Sequence, residues 1–244
     1  MGGGVMIKPG LDLLNQFPAE SISVLSSITV FAMSIVSVGK HVQQKTLIPY
    51  TIALPLALGS ILGGNAGQFG LKLAVSRLPS NRMVLVTQNT VLALLIIGVI
   101  IYMMKKEKIK SLQLTGILPP LLAGLVLGFF SSFLGIGGGP FNVALLIYLF
   151  SLSTKAAAVC SIIIILFSQL TKIISISVME GFAVYELSLL PPMIAGGIIG
   201  GFAGAWINRK MSDKQVEKTF NVVQVVVLFV CIYNIVRNLF FVAG

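Results

Sequence analysis

Ser131-Ser132-Phe133-Leu134-Gly135-Ile136-Gly137-Gly138-Gly139-Pro140-Phe141-Asn142 interrupts an otherwise apolar segment, Leu112 to Phe150. Each glycine weakens a helix by about 1 kcal/mol relative to alanine, and Pro140 has no N–H to donate. A helix carrying this run unwinds there. If the run lies at membrane depth, unwound backbone is tolerated only where it is buried in protein or lines a watery cavity. Discontinuous helices of this kind form substrate sites in secondary transporters. The helix restarting after the break presents unpaired amides and the positive end of its dipole, which attract anions. Ser131, Ser132 and Asn142 add hydroxyl and amide groups beside it.

The rest of the chain supplies the membrane. It has 244 residues, 56% of them apolar and only 10% charged, with a mean hydropathy of +1.00; soluble domains carry about a quarter charged residues. A spanning helix needs about 20 apolar residues. Uncharged stretches of that kind lie between Glu20 and Lys40, Lys45 and Lys72, Arg82 and Lys105, Lys110 and Lys155, Glu186 and Arg209, and Lys218 and Arg237. Ala156 to Met179 is a further span, interrupted only by Lys172 near one end, where a long side chain can snorkel. The fold class is therefore all-α and polytopic, with about seven transmembrane helices plus short half-segments. No N-terminal stretch has the order of a signal peptide.

The chain holds 17 basic and 7 acidic residues, net +10. Membrane proteins collect Lys and Arg in short cytoplasmic loops, and these charges have no interleaved aromatics to stack bases, so nucleic acid is excluded as a partner. Cys160 and Cys231 fall inside predicted spans, where they behave as small hydrophobes; their spacing suggests neither a disulfide nor a metal site. His41 is expected to be solvated in a basic loop. No cofactor is implied.

The break marks a repeat. Pro192, Gly196, Ile198, Gly200, Gly201, Ala203 and Gly204 match Pro55, Gly59, Ile61, Gly63, Gly64, Ala66 and Gly67 in order. Earlier in each copy, Gly137-Gly138-Gly139 aligns with Gly2-Gly3-Gly4, and the ungapped continuation pairs Leu146 with Leu11, Val159 with Val24, Ser161 with Ser26 and Ile163 with Ile28. Residues 1–104 form the first repeat, 105–111 a basic linker and 112–244 the second repeat. Each copy reads as a Gly-rich break, a half-helix and three longer helices. The second triplet follows the apolar stretch Leu112 to Leu134 and the first follows only Met1, which leads to the expectation of an N-terminally shortened product. If Leu112 to Phe150 is a re-entrant hairpin, the copies are inverted.

Polar residues inside spans are costly and point to function. Ser26 with Ser161, and Gln88 with Gln224, occupy equivalent positions and suit a site on a pseudo-twofold axis, although serine can also bond its own helix backbone. Asn65, Gln68 and Gln169 are weaker candidates. No acidic residue within the predicted spans reads as a proton carrier; Lys8 and Asp12 sit near the first break or at the interface. The spaced glycines Gly63, Gly64, Gly67, Gly196, Gly197, Gly200, Gly201 and Gly204 suit close helix packing, whereas the triplet with proline reads as a break. Nothing resembles a nucleophile with its base, paired catalytic carboxylates or a phosphate loop, so an enzyme is not expected.

Two glycine-triplet breaks and a Gly-Gly-x-x-Gly helix in each half resemble the sulfite exporter TauE/SafE family over essentially the whole chain. The resemblance implies a carrier of sulfite, sulfonates or related anions, with Gly137, Gly138, Gly139 and Pro140 in the second motif and Gly2, Gly3, Gly4 and Pro9 in the first. The functional expectation is a secondary anion transporter that is multi-pass in a prokaryotic plasma membrane. Its candidate substrate-binding residues are Gly137, Gly138, Gly139, Pro140, Asn142, Ser131, Ser132, Ser161, Gly2, Gly3, Gly4, Ser26, Gln88 and Gln224. The alternatives are a passive anion channel and a non-transporting scaffold subunit. The implied partners are the lipid bilayer, a small anion and at most further copies of the chain as a homo-oligomer.

Overall fold

The computed structural model describes residues 3–14, 16–43, 49–136 and 139–241. The order of helices is α1 (Gly3–Leu14), α2 (Ala19–Gln43), α3 (Tyr50–Arg77), α4 (Asn81–Lys105), α5 (Leu118–Leu134), α6 (Gly139–Phe150), α7 (Thr154–Met179), α8 (Leu190–Lys210) and α9 (Asp213–Val236). Five of these, α2, α4, α7, α8 and α9, are long and apolar enough to cross a bilayer. The protein is an all-α polytopic membrane protein. At a rise of 1.5 Å per residue, the 12-residue helices α1 and α6 reach only about 18 Å, too short to cross.

Local chemistry places the ends. Ser80, Ser153 and Ser212 each accept a backbone N–H in the first turn of the helix they precede, and Ser212 forms a reciprocal capping box with Gln215. That box carries α9 back to Asp213, well before the apolar run that begins near Thr219. Pro119 and Pro191 sit in the opening turns of α5 and α8, where no N–H is needed. Gly135, at φ +64°, ends α5 in the left-handed region that favours glycine.

Contacts between distant residues fix the directions of the helices. The Leu112 and Leu114 amides donate to the carbonyls of Tyr148 and Leu149 at 2.9 Å, and Ser111 meets Ser151. The chain therefore enters through α5 and returns through α6 to the side it came from. On that linker side Lys106 pairs with Glu217 at the start of α9. On the far side Lys72 of α3 pairs with Glu180 after α7 at 2.5 Å, and the Glu186 amide donates to Ser21 Oγ at the start of α2. Helices α2 and α4 run from the far side to the linker side, and α7 and α9 run the opposite way.

The tightest packing joins α3 to α5. A Cβ added to Gly59, Gly63 or Gly67 would lie 2.0, 2.0 and 2.3 Å from the carbonyl oxygens of Leu121, Leu125 and Phe129. Gly124 and Gly128 approach Leu56 and Ser60 equally closely from the other helix. Such backbone contact is how membrane helices associate without a hydrophobic driving force. Large side chains point outward instead: Leu54, Leu58, Leu62 and Phe69 on α3, Phe202 and Trp206 on α8, and Phe229 and Tyr233 on α9 are exposed, as suits lipid.

Candidate functional site

The residues flanking the α5–α6 break, Gly135, Ile136, Gly139 and Pro140, are buried. Gly135 presses on α2 so closely that a Cβ would come within 2.6 Å of Ser23 Oγ. Gly137 and Gly138, like Gly2 in the first break, lie outside the described residues. Gly139 and Pro140 open α6 and are buried, and Gly3 and Gly4 open α1.

The last turn of α5 exposes carbonyls that a continuing helix would satisfy, and neighbouring helices supply the donors. Gln88 Nε2 of α4 donates to Phe133 O at 2.6 Å. Lys172 Nζ of α7 donates to Ser132 O at 3.0 Å and to Ser23 Oγ at 2.6 Å. Gln169 Nε2 donates to Ser131 Oγ at 2.9 Å, and Ser131 Oγ lies 3.0 Å from Ser168 Oγ. Ser131, Ser132 and Gln88 thus converge on one end of α5, together with Lys172, which was expected to snorkel. Its side chain instead has 0% exposure. Burial follows from its partners, which lie 40 and 149 residues away in sequence and draw the ammonium inward.

The first turn of α6 is different. Asn142 is fully buried, and neither its Nδ2 nor its Oδ1 has a partner among the described residues. Ser161 Oγ approaches Gly139 O at 3.5 Å. Next to them is a cavity of about 50 Å³, lined in part by Gly139, Ser161, Ser37, Asn208 and Gly200. Its lining is mainly apolar, with Ser37, His41, Ser161 and Asn208 as the polar members. Ser26 Oγ, Gln88 Oε1 and both polar atoms of Gln224 are likewise buried without a partner among the described residues. Ser26 does not bond its own helix, unlike Ser27 and Thr29, which donate to the carbonyls four residues back. Asn65 is exposed, and Gln68 is buried on α3.

A family profile described as "Sulfite exporter TauE/SafE" matches residues 1–231. The chain belongs to the TauE/SafE family. A Bacillus subtilis (strain 168) protein described as "Probable membrane transporter protein YunE" is 34% identical over 111 residues, 45% of this chain and 39% of that protein. The match thus spans well under half the length of this curated relative. No solved structure matches. The family is described by sulfite export and the relative as a probable membrane transporter.

One further expectation is corrected by the structure. His41 is 4% exposed in the last turn of α2 rather than solvated. Asp12 is an acidic residue buried within the bundle. Its Oδ2 accepts from Lys8 Nζ at 3.2 Å and from Asn89 Nδ2 at 2.9 Å, while Oδ1 has no partner among the described residues. Arg237 closes the end of α1 by donating to Leu13 O at 2.5 Å, and Asn234 donates to Pro9 O at 3.1 Å. The only advance signal for this cluster was a Lys–Asp pair four residues apart beside a glycine break, a spacing that aligns charges on one helix face.

Proposed function

We propose that this TauE/SafE transporter is a secondary carrier of small oxyanions, sulfite or small sulfonates among them, and that it binds the anion at the start of α6. The observation that supports the reading best is Asn142. A buried amide without partners costs about 1–3 kcal/mol, and this one sits in the first turn of a half-helix whose N-terminal amides face a break. An oxyanion would satisfy the amide and the helix end together. The residues assigned to the site with it in this reading are Gly137, Gly138, Gly139, Pro140 and Ser161. Gly2, Gly3, Gly4, Ser26, Gln88 and Gln224 make up the related half of the site.

The directions of the helices support inverted copies, with alternating access produced by rocking one against the other. Lys40, Lys105, Lys106, Lys108, Lys110, Lys155, Arg209, Lys210, Lys214 and Lys218 share the linker side, whereas Lys72, Arg77 and Arg82 mark the far side. By the positive-inside rule the linker side is cytoplasmic, and the membrane is the plasma membrane of a prokaryote. Uptake of labelled sulfite, sulfate, thiosulfate and small sulfonates into proteoliposomes tests the carrier. Asn142→Leu and Gly138→Leu are expected to abolish uptake of whichever anion is moved, and unchanged uptake in both variants would refute this placement of the site.

A further inference from the structure

We propose that Lys172 is the coupling residue of the carrier, a tethered cation at the end of α5 whose protonation, rather than a bound sodium ion, ties flux to a gradient. The inference rests on the carrier reading above. Ends of broken helices and unwound carbonyls are where secondary transporters hold their coupling cations. Here the C-terminal end of α5, with its partial negative charge, is occupied by the Lys172 ammonium, which donates to Ser132 O and Ser23 Oγ. Both partners are neutral oxygens. No carboxylate among the described residues pairs with Lys172, and an ammonium has three protons to donate.

Helices α5 and α6 carry no charged or titratable group apart from the Tyr148 hydroxyl at the linker end of α6. On α2, Glu20 lies one turn before Ser23, at the far side. On α3, Lys72 is engaged with Glu180. On α9 there is Cys231, which is buried. On α1, Lys8 is paired with Asp12. The buried seam therefore holds one offset ammonium and one that is not offset.

Position gives that charge its leverage. Ser23 belongs to the first half of the chain, and Lys172 and Ser132 to the second, so the ammonium ties together the halves whose relative motion would carry the anion. A buried charge is costly unless its partners are in place. Loss of the proton weakens the tie, and rearrangement that separates Ser23 from Ser132 disfavours the charge. Protonation and conformation are thereby linked.

The test is uptake in proteoliposomes of labelled thiosulfate and methanesulfonate, whose charges are fixed near neutral pH, driven by an imposed pH gradient or an imposed sodium gradient. The wild type is expected to respond to the pH gradient by roughly tenfold, within the usual range of coupling, and not to sodium. Lys172→Gln is expected to lose the pH response while keeping labelled-anion exchange. Lys172→Arg keeps the charge but cannot release the proton; it is expected to be just as unresponsive, which guards against misfolding of the glutamine variant. Sodium-driven uptake, or a pH response surviving in either variant, would overturn the assignment of Lys172 and leave the carrier reading standing. Absence of any anion flux in the wild type would overturn both.

Discussion

On α3, Gly59, Gly63 and Gly67 lie against the carbonyls of α5; on α8, a Cβ added at the matching Gly196, Gly200 or Gly204 would meet no other element within 4 Å. The sequences of the two helices agree at these positions, so the difference lies in the neighbour. Helix α8 uses its other small face, Gly197 and Gly201, against Thr29 and Met33 of α2. Letter spacing shows that a helix can be approached closely, and the rest of the chain determines whether it is. The contrast extends to the helix ends. Lys72 near the end of α3 pairs with Glu180, whereas the matching Arg209 near the end of α8 has no ion pair among the described residues.

The comparison can be broken most directly at Gly63. Leucine there would force its Cβ into Leu125 O, and overpacking of this severity costs about 3 kcal/mol; the variant should melt well below the wild type in detergent or fail to yield monodisperse protein. An intact melting temperature would mean that α3 and α5 are not in backbone contact.

A second comparison sets the two half-helices side by side. The ungapped alignment of the copies pairs Asn142 with Ile7, Val143 with Lys8 and Ile147 with Asp12. The second copy thus holds a buried amide without partners where the first is apolar, and the first holds an ion pair where the second is apolar. Asn142→Ile is expected to reduce anion uptake by about a hundredfold, the upper scale of losing one hydrogen-bond partner to a buried group, while Ile7→Asn leaves the substrate preference unchanged. Equal losses in both variants, measured as initial rates in proteoliposomes, would show that the copies share the work evenly.

Smaller effects sharpen the picture. Gly200→Leu should change the melting temperature little, within about 0.5 kcal/mol as for other open sites. A loss matching that of Gly63→Leu would show that α8 is covered in the membrane. The smallest effect concerns Glu180. Its carboxyl is held below the usual range by its bond to Lys72 and then by Tyr185. A lowered folded-state value stabilises the protein above the unfolded value, and that contribution is lost as pH falls through the lowered one. Acidification through this window should lower the melting temperature slightly, and Lys72→Ala should flatten that dependence. The pair is partly exposed, so salt should weaken it too.

Much of the fold was legible because membrane solvent imposes a crude rule. Uncharged stretches located α2, α4 and α8, a stretch interrupted only by Lys172 located α7, and the break between α5 and α6 follows from glycine and proline alone. Charged residues misplaced the start of α9, since Lys214, Glu217 and Lys218 occupy helical turns beyond the apolar run. Lys172 was misread for a different reason. Its distance along α7 suited a snorkelling side chain, but its surroundings are set by Ser23 and Ser132, whose proximity arises only when α2, α5 and α7 assemble. Asp12 was legible beside the first break, but its enclosure was not, because α1 is too short to look like a span and the bundle encloses it only on folding. Asn142 was legible as a polar residue after a break, but its lack of partners is a property of the folded interior.

Counterflow tests the central claim most directly. Proteoliposomes preloaded with an unlabelled anion are exposed to a trace of the same labelled anion, with sulfite, thiosulfate and methanesulfonate tried in turn. A carrier binding its anion at the start of α6 predicts transient accumulation of label, saturation with concentration and loss of both in Asn142→Ile. Flux that rises linearly without counterflow, or no flux for any of these anions, would contradict it.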